Sequence, residues 1–173
     1  MHRQICQPGV GMVGATGSWQ GLQISGKKKR PLWKTMLWPL AARYFKAYFD
    51  YFPNYHLRTN GFIIARDTML KVRRGTILTK MQAYRMESGK NSITNQVERM
   101  GLRPVVVGKD GKGYEKKQWD VSNTFWRGMQ DNLLISDNQT RKYDTSNLEW
   151  RRKLELFAWG ELANVPRDNI AES

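Results

Sequence analysis

The chain has 173 residues and a formal net charge of +14, with 29 Lys and Arg against 15 Asp and Glu. That length suits one compact domain with appendages, and 40% hydrophobic with 12% aromatic content excludes a wholly disordered polymer. A single cysteine, Cys6, excludes an intramolecular disulfide framework and points to a reduced compartment.

The charge is graded along the chain. No acidic residue precedes Asp50, whereas residues 144–173 carry four basic residues against six acidic ones. Self-repulsion of this kind is relieved by a polyanionic partner at the basic end.

Residues 4–26 are uncharged but hold six glycines, four glutamines and a proline. That is too polar for a membrane-spanning helix and lacks the apolar centre of a signal peptide. Residues 1–30 are therefore expected to be a retained, extended Gly-rich arm, ending in the basic run Lys27-Lys28-Lys29-Arg30. An acid-free basic start is compatible with mitochondrial import. The spacing Gly9-Val10-Gly11-Met12-Val13-Gly14 imitates a dinucleotide-binding turn. It is set aside because the acid required about twenty residues on is missing.

A single α+β body is expected over residues 31–165, with a tail at 166–173. Pro39 suits a first helical turn, and Tyr44, Phe45, Tyr48, Phe49, Tyr51 and Phe52 give an aromatic stripe before Pro53. Asn60-Gly61, flanked by β-forming residues, predicts a hairpin, and residues 68–72 predict a third short strand. Helices are expected at 76–87 and at 92–100, the second capped by Ser92 and stopped by Gly101. Residues 104–107 predict a strand, turning through the Gly- and Lys-rich 108–113 and returning over 114–121. Apolar spacing predicts a helix over 122–134 and composition a polar loop over 135–145. Ser146-Asn147-Leu148-Glu149 predicts a capping box for a helix running to Leu162. The whole is a small α+β domain, predominantly helical, with one or two β-hairpins and a long Gly-rich basic N-terminal extension.

Positive charge interleaved with flat rings suits a polyanion that exposes stackable bases. The candidate RNA-binding residues fall in three clusters. The first is Lys27, Lys28, Lys29, Arg30, Trp33 and Lys34. The second is Arg66, Lys71, Arg73 and Arg74, on an expected strand edge. The third is Lys109, Lys112, Lys116 and Lys117, around an expected mobile hairpin tip. Rings at helical spacing serve core or interface more often than stacking. Trp38, Tyr44, Phe45, Tyr48, Phe49 and Phe52 are accordingly assigned to a protein or membrane interface.

The catalytic inventory is thin. His2 and His56 are the only histidines, and no paired cysteines, nucleophile elbow or phosphate loop occurs. No enzymatic activity, metal, cofactor or small-molecule substrate is expected, nor a pocket with converging titratable groups.

The first expectation is a structural, RNA-contacting subunit of a large ribonucleoprotein, the mitochondrial ribosome, with rRNA and neighbouring subunits as partners. The alternative is a matrix-side accessory subunit of an inner-membrane respiratory or ATP synthase complex, contacting membrane subunits and anionic lipid. RNA binding predicts that the clusters share one face; lipid binding predicts that charge rings the aromatic helix alone.

Overall fold

The computed structural model describes residues 1–21 and 38–161; the side chains of Trp38 and Leu40 lie outside the description. A short helix, α1 (His2–Ile5), leads into strands β1 (Val10–Gly14) and β2 (Gly17–Ser18). Helix α2 (Trp38–Tyr48) is followed by β3 (His56–Leu57), β4 (Phe62–Ile64) and α3 (Arg66–Lys71). Then come α4 (Lys80–Ser88), α5 (Ile93–Arg99), β5 (Arg103–Val107) and β6 (Gly113–Tyr114). Helices α6 (Asn138–Asp144) and α7 (Leu148–Trp159) close the described chain. The fold is α+β.

The larger sheet has the order β4-β1-β5-β6, with β1 antiparallel to β4 and parallel to β5. Strands β2 and β3 form a second, antiparallel pair. Backbone bonds from Ala15 N to Gly61 O and from Arg58 N to Thr16 O join the two pairings. Residues 12–18 therefore run beside 56–64, with 58–61 connecting the two pairings.

That arrangement corrects two expectations. The flanks of Asn60-Gly61 pair with β1 and β2 and not with each other. Neither residue takes the positive φ that a tight hairpin turn needs. And residues 10–18, expected in an arm outside the body, supply β1, an inner strand of the larger sheet, and β2 of the smaller pair. Met12, Val13 and Ala15 have no solvent exposure. The glycines here serve close approach: a Cβ on Gly11 would lie 2.6 Å from Leu102 Cβ, and one on Gly17 would lie 2.6 Å from the Trp119 ring. The basic run at 27–30 lies outside the described residues.

Alternation along the strands serves two faces. Met12 and Val106 join Leu57, Val97, Trp119, Phe125 and Trp159 in the main core. Val13, Val105 and Val107 pack on the other face, with Met1, Ile5 and Val10 against them. Gln4 Nε2 donates to Gly111 O at 2.9 Å, tying α1 to the turn after β5. The tryptophans in the core keep their indole N–H satisfied, as burial requires. Trp119 donates to Tyr114 O, Trp126 to Gln139 O, and Trp159 to the carbonyls of Phe125 and Trp126.

Other expectations divide. Ser92 caps α5 by accepting from Asn95 N, and β5 pairs with β6 as a hairpin. The last helix begins one residue later than its motif suggests, with Asn147 accepting from Trp150 N. Residues 66–71 are helical, not strand. The helix expected over 122–134 does not form, because Asn123, Trp126, Gly128 and Gln130 all take positive φ. Helix α6 forms instead in the expected loop, where the Asp137 carboxylate accepts from Gln139 N and Thr140 N.

Candidate nucleic-acid interface

The end of α2, the segment after α3, helix α4 and the turn at 89–91 enclose a groove of 420 Å³. Arg73, Arg74, Arg85 and Lys90 line it together with the Tyr48 ring, and no carboxylate is among its lining residues. The Gln96 side chain, itself buried, accepts from Arg73 N at 2.7 Å and donates to Arg73 O at 3.2 Å. This clamp fixes the backbone and leaves the Arg73 guanidinium without a hydrogen bond or ion pair among the described residues. The Arg74 guanidinium likewise has none. Gly75 turns the chain there at a φ of +58°.

Arg85 lies over the Tyr48 ring, 3.5 Å from its centroid. Lys90 Nζ donates to Lys46 O at 2.9 Å, one of the terminal carbonyls that α2 cannot satisfy itself. Asp50 stands 3.9 Å from the same ammonium, with both side chains about half exposed, so the pair holds little energy. An isolated antiparallel bridge between Phe49 and Gly89 joins the end of α2 to the turn after α4. The result is a cationic trough with an aromatic rim, open to solvent.

The other candidate residues are placed apart from it. Lys27 to Arg30, Trp33 and Lys34 lie outside the described residues. Arg66 and Lys71 belong to α3; Arg66 is 3.8 Å from Asp67, both fully solvated. Around the hairpin, Lys109, Lys112 and Lys117 are exposed, but Lys116 is committed. Its Nζ bonds both oxygens of Glu98, at 2.8 and 3.0 Å, and sits 4.5 Å over the Tyr55 ring.

The hairpin turn, expected to be a mobile tip, is tied down. Asn132 accepts from Asp110 N, and the Lys109 amide donates to Asn132 O. The Tyr114 hydroxyl donates to Asp110 Oδ2 at 2.6 Å. Burial and that carboxylate push the Tyr114 hydroxyl up to about 12. Burial would raise Asp110, but the bonds from Tyr114, Lys112 N–H and Asn132 hold it below the usual carboxylate range.

Sheet order separates the second and third clusters. Residue 66 follows β4, an edge strand, at the end where β1 begins. The 108–113 turn leaves the far end of β5 toward the opposite edge strand. Residue 66 and the 108–113 turn occupy diagonally opposite corners, so these two clusters do not form the shared face expected for RNA binding. What the fold brings together is half of the second cluster, Arg73 and Arg74, with Arg85 and Lys90, two cations that sequence spacing did not single out. Gln96, 23 residues from Arg73, does the positioning, and no local pattern announces such a contact.

The aromatic helix serves two purposes. Phe49 is buried and packs against Tyr84 at 4.9 Å and Phe45 at 5.7 Å. Tyr44 and Tyr48 are exposed and meet at a tilt of 53° with centroids 4.7 Å apart, while the Phe52 ring lies against Gly160 at the end of α7. Among the described residues no helix is long and apolar enough to cross a membrane. Cys6 is exposed.

His56 is buried, and its Nδ1 donates to Asn54 O at 2.8 Å. Burial pushes its imidazole below the ordinary value, against the opposing effects of that bond and of Glu87. Comparison with family models, curated proteins and solved structures returns no match.

Proposed function

We propose that this chain is a structural, RNA-contacting subunit of a large ribonucleoprotein, with the mitochondrial ribosome as the particle and rRNA and neighbouring subunits as its partners. The observation that carries the reading is the trough of Arg73, Arg74, Arg85 and Lys90, lined by no carboxylate and rimmed by Tyr48. Guanidinium groups without internal partners are free to take phosphate oxygens bidentately, while the Tyr48 ring holds Arg85 beside them. The mechanism is charge neutralisation and scaffolding. The chain's net charge of +14 supplies the long-range attraction. Exposed Leu78, Leu148 and Trp150 offer apolar surface for neighbouring subunits.

The test is the salt dependence of single-stranded RNA binding. Replacing both Arg73→Gln and Arg74→Gln removes two phosphate contacts, so the log–log slope against salt flattens by about 1.4. An unchanged slope counts against the trough as the contact.

The second reading, an accessory subunit at an inner membrane, draws on the exposed Tyr44 and Tyr48 rings beside Arg43 and Lys46 on α2. Tighter binding to anionic vesicles than to RNA, lost in the same double variant, favours it.

A further inference from the structure

A second cavity, of 580 Å³, lies on the side of α4 that faces α6 and α7. Its size is in the range of about 300–1,000 Å³ taken by small-molecule pockets. Aromatic and titratable groups converge there, contrary to the expectation from sequence. The rings of Trp126, Trp150 and Phe157 form much of its wall, Trp126 buried and Trp150 at the exposed end.

Three polar groups on the wall have unused capacity. His56 has its Nδ1–H committed to Asn54 O, so Nε2 presents a lone pair with no hydrogen bond among the described residues. Glu87 spends one carboxylate oxygen, Oε1, on Thr59 N at 2.9 Å. Arg58 pairs through Nη2 with Asp137 at 2.9 Å and lies 4.2 Å over the Phe125 ring, while Nη1 is buried with no partner. A buried cationic donor without an acceptor is costly, and a ligand oxygen would relieve it. At the rim stand Lys80 and Lys142, both exposed and without an ion pair among the described residues.

We infer that this cavity binds a purine 5′-nucleotide with guanine preferred, its base among the aromatic rings and its phosphate on Lys80 and Lys142. The set of unused groups, one donor and two acceptors, decides the base. The Watson–Crick edge of guanine runs acceptor, donor, donor, through O6, N1–H and the 2-amino group. It meets a donor at Arg58 and acceptors at Glu87 and His56. Adenine offers one donor and one acceptor and would leave one of the two protein acceptors unmet. Uracil leaves its second carbonyl against an acceptor. The stacking surface accepts any base, so discrimination comes from this edge. The inference stands apart from the trough around Arg73 and holds whether the nucleotide is free or is one unstacked residue of a strand.

The experiment is titration of the full chain with GMP, AMP and inorganic phosphate, read by quenching of tryptophan fluorescence. Wild type is expected to bind GMP saturably and about tenfold more tightly than AMP. Glu87→Gln keeps an acceptor for Thr59 N and is expected to abolish that preference, with an unchanged circular dichroism melt confirming the fold. Lys142→Glu is expected to weaken GMP but not guanosine. A guanosine-containing hexanucleotide that binds more tightly than GMP assigns the site to a strand; the reverse assigns it to the free nucleotide. The Arg73→Gln, Arg74→Gln double variant is expected to retain GMP binding, which separates this site's failure from the trough's. No saturable GMP binding, or no preference over AMP, or a preference that survives Glu87→Gln, overturns the assignment.

Discussion

At the scale of single residues, Asp137 does two jobs at once. Its carboxylate caps α6 through Gln139 N and Thr140 N, both at 2.9 Å, and pairs with Arg58, whose side chain is only 13% exposed. Burial alone would raise its pKa; the Thr140 N–H and the Arg58 guanidinium outweigh burial and hold it below the carboxylate range. Asp137→Ala removes the cap and strands a largely buried cation, so it is expected to cost about 3 kcal/mol in chemical denaturation. A folded-state pKa below the unfolded one gives stability that is present above the unfolded value of 3.8 and lost as pH falls. The gap between wild type and variant is therefore expected to narrow on acidification below that value. His56 follows the opposite chemistry to a similar end. Its folded pKa lies below 6.5, so the unfolded chain takes up the proton first and stability declines as pH drops below 6.5. Denaturation at pH 7.5 and 5.5 is expected to show a smaller difference in His56→Asn than in wild type.

At the scale of elements, the segment 10–18 that supplies β1 and β2 is the part most open to test. Gly17→Ala places a methyl group against the fully buried Trp119 ring, a clash expected to cost about 2 kcal/mol, measured by thermal melting. A mobile arm would tolerate the same change. This segment also shows what the sequence made legible. Ser92 before an apolar helical face, and valines entering a Gly-Lys turn, encode local structure through caps and turn chemistry, and α5 and the β5–β6 hairpin follow them. The glycines at 11, 14 and 17 read as flexibility because their partners, Leu102, Leu57 and Trp119, are distant in sequence. The same limit hid α6. Its Asp137 cap sits in a run that reads as polar loop, its composition gives no helical stripe, and the residue that holds it down, Tyr143, is a single buried ring. Segment 122–134 erred the other way. Phe125, Trp126 and Leu133 have helical spacing and are all buried, but Gln130 takes the Trp126 amide into its side chain and breaks the ladder. In the trough, Arg73 and Arg74 were legible as a basic cluster. Arg85 and Lys90 were not, because a cation on a helix face or in a turn looks the same from sequence whether it faces solvent or a shared trough.

At the scale of the whole molecule, a chain at +14 has to place its charge where an anion can neutralise it. The fold does so unevenly. It spends Lys116 on Glu98 inside its own structure, sends the 66–71 and 108–113 segments to opposite corners, and gathers Arg73, Arg74, Arg85 and Lys90 beside Tyr48. The central claim is that this trough meets RNA in an assembly. Ultraviolet crosslinking of the native protein in its cell extract, with sequencing of the attached RNA and mapping of the attached peptide, tests it most directly. The expected result is one abundant RNA joined at Tyr48 or within residues 73–91. Absence of RNA, with membrane subunits and anionic lipid co-purifying instead, would contradict it.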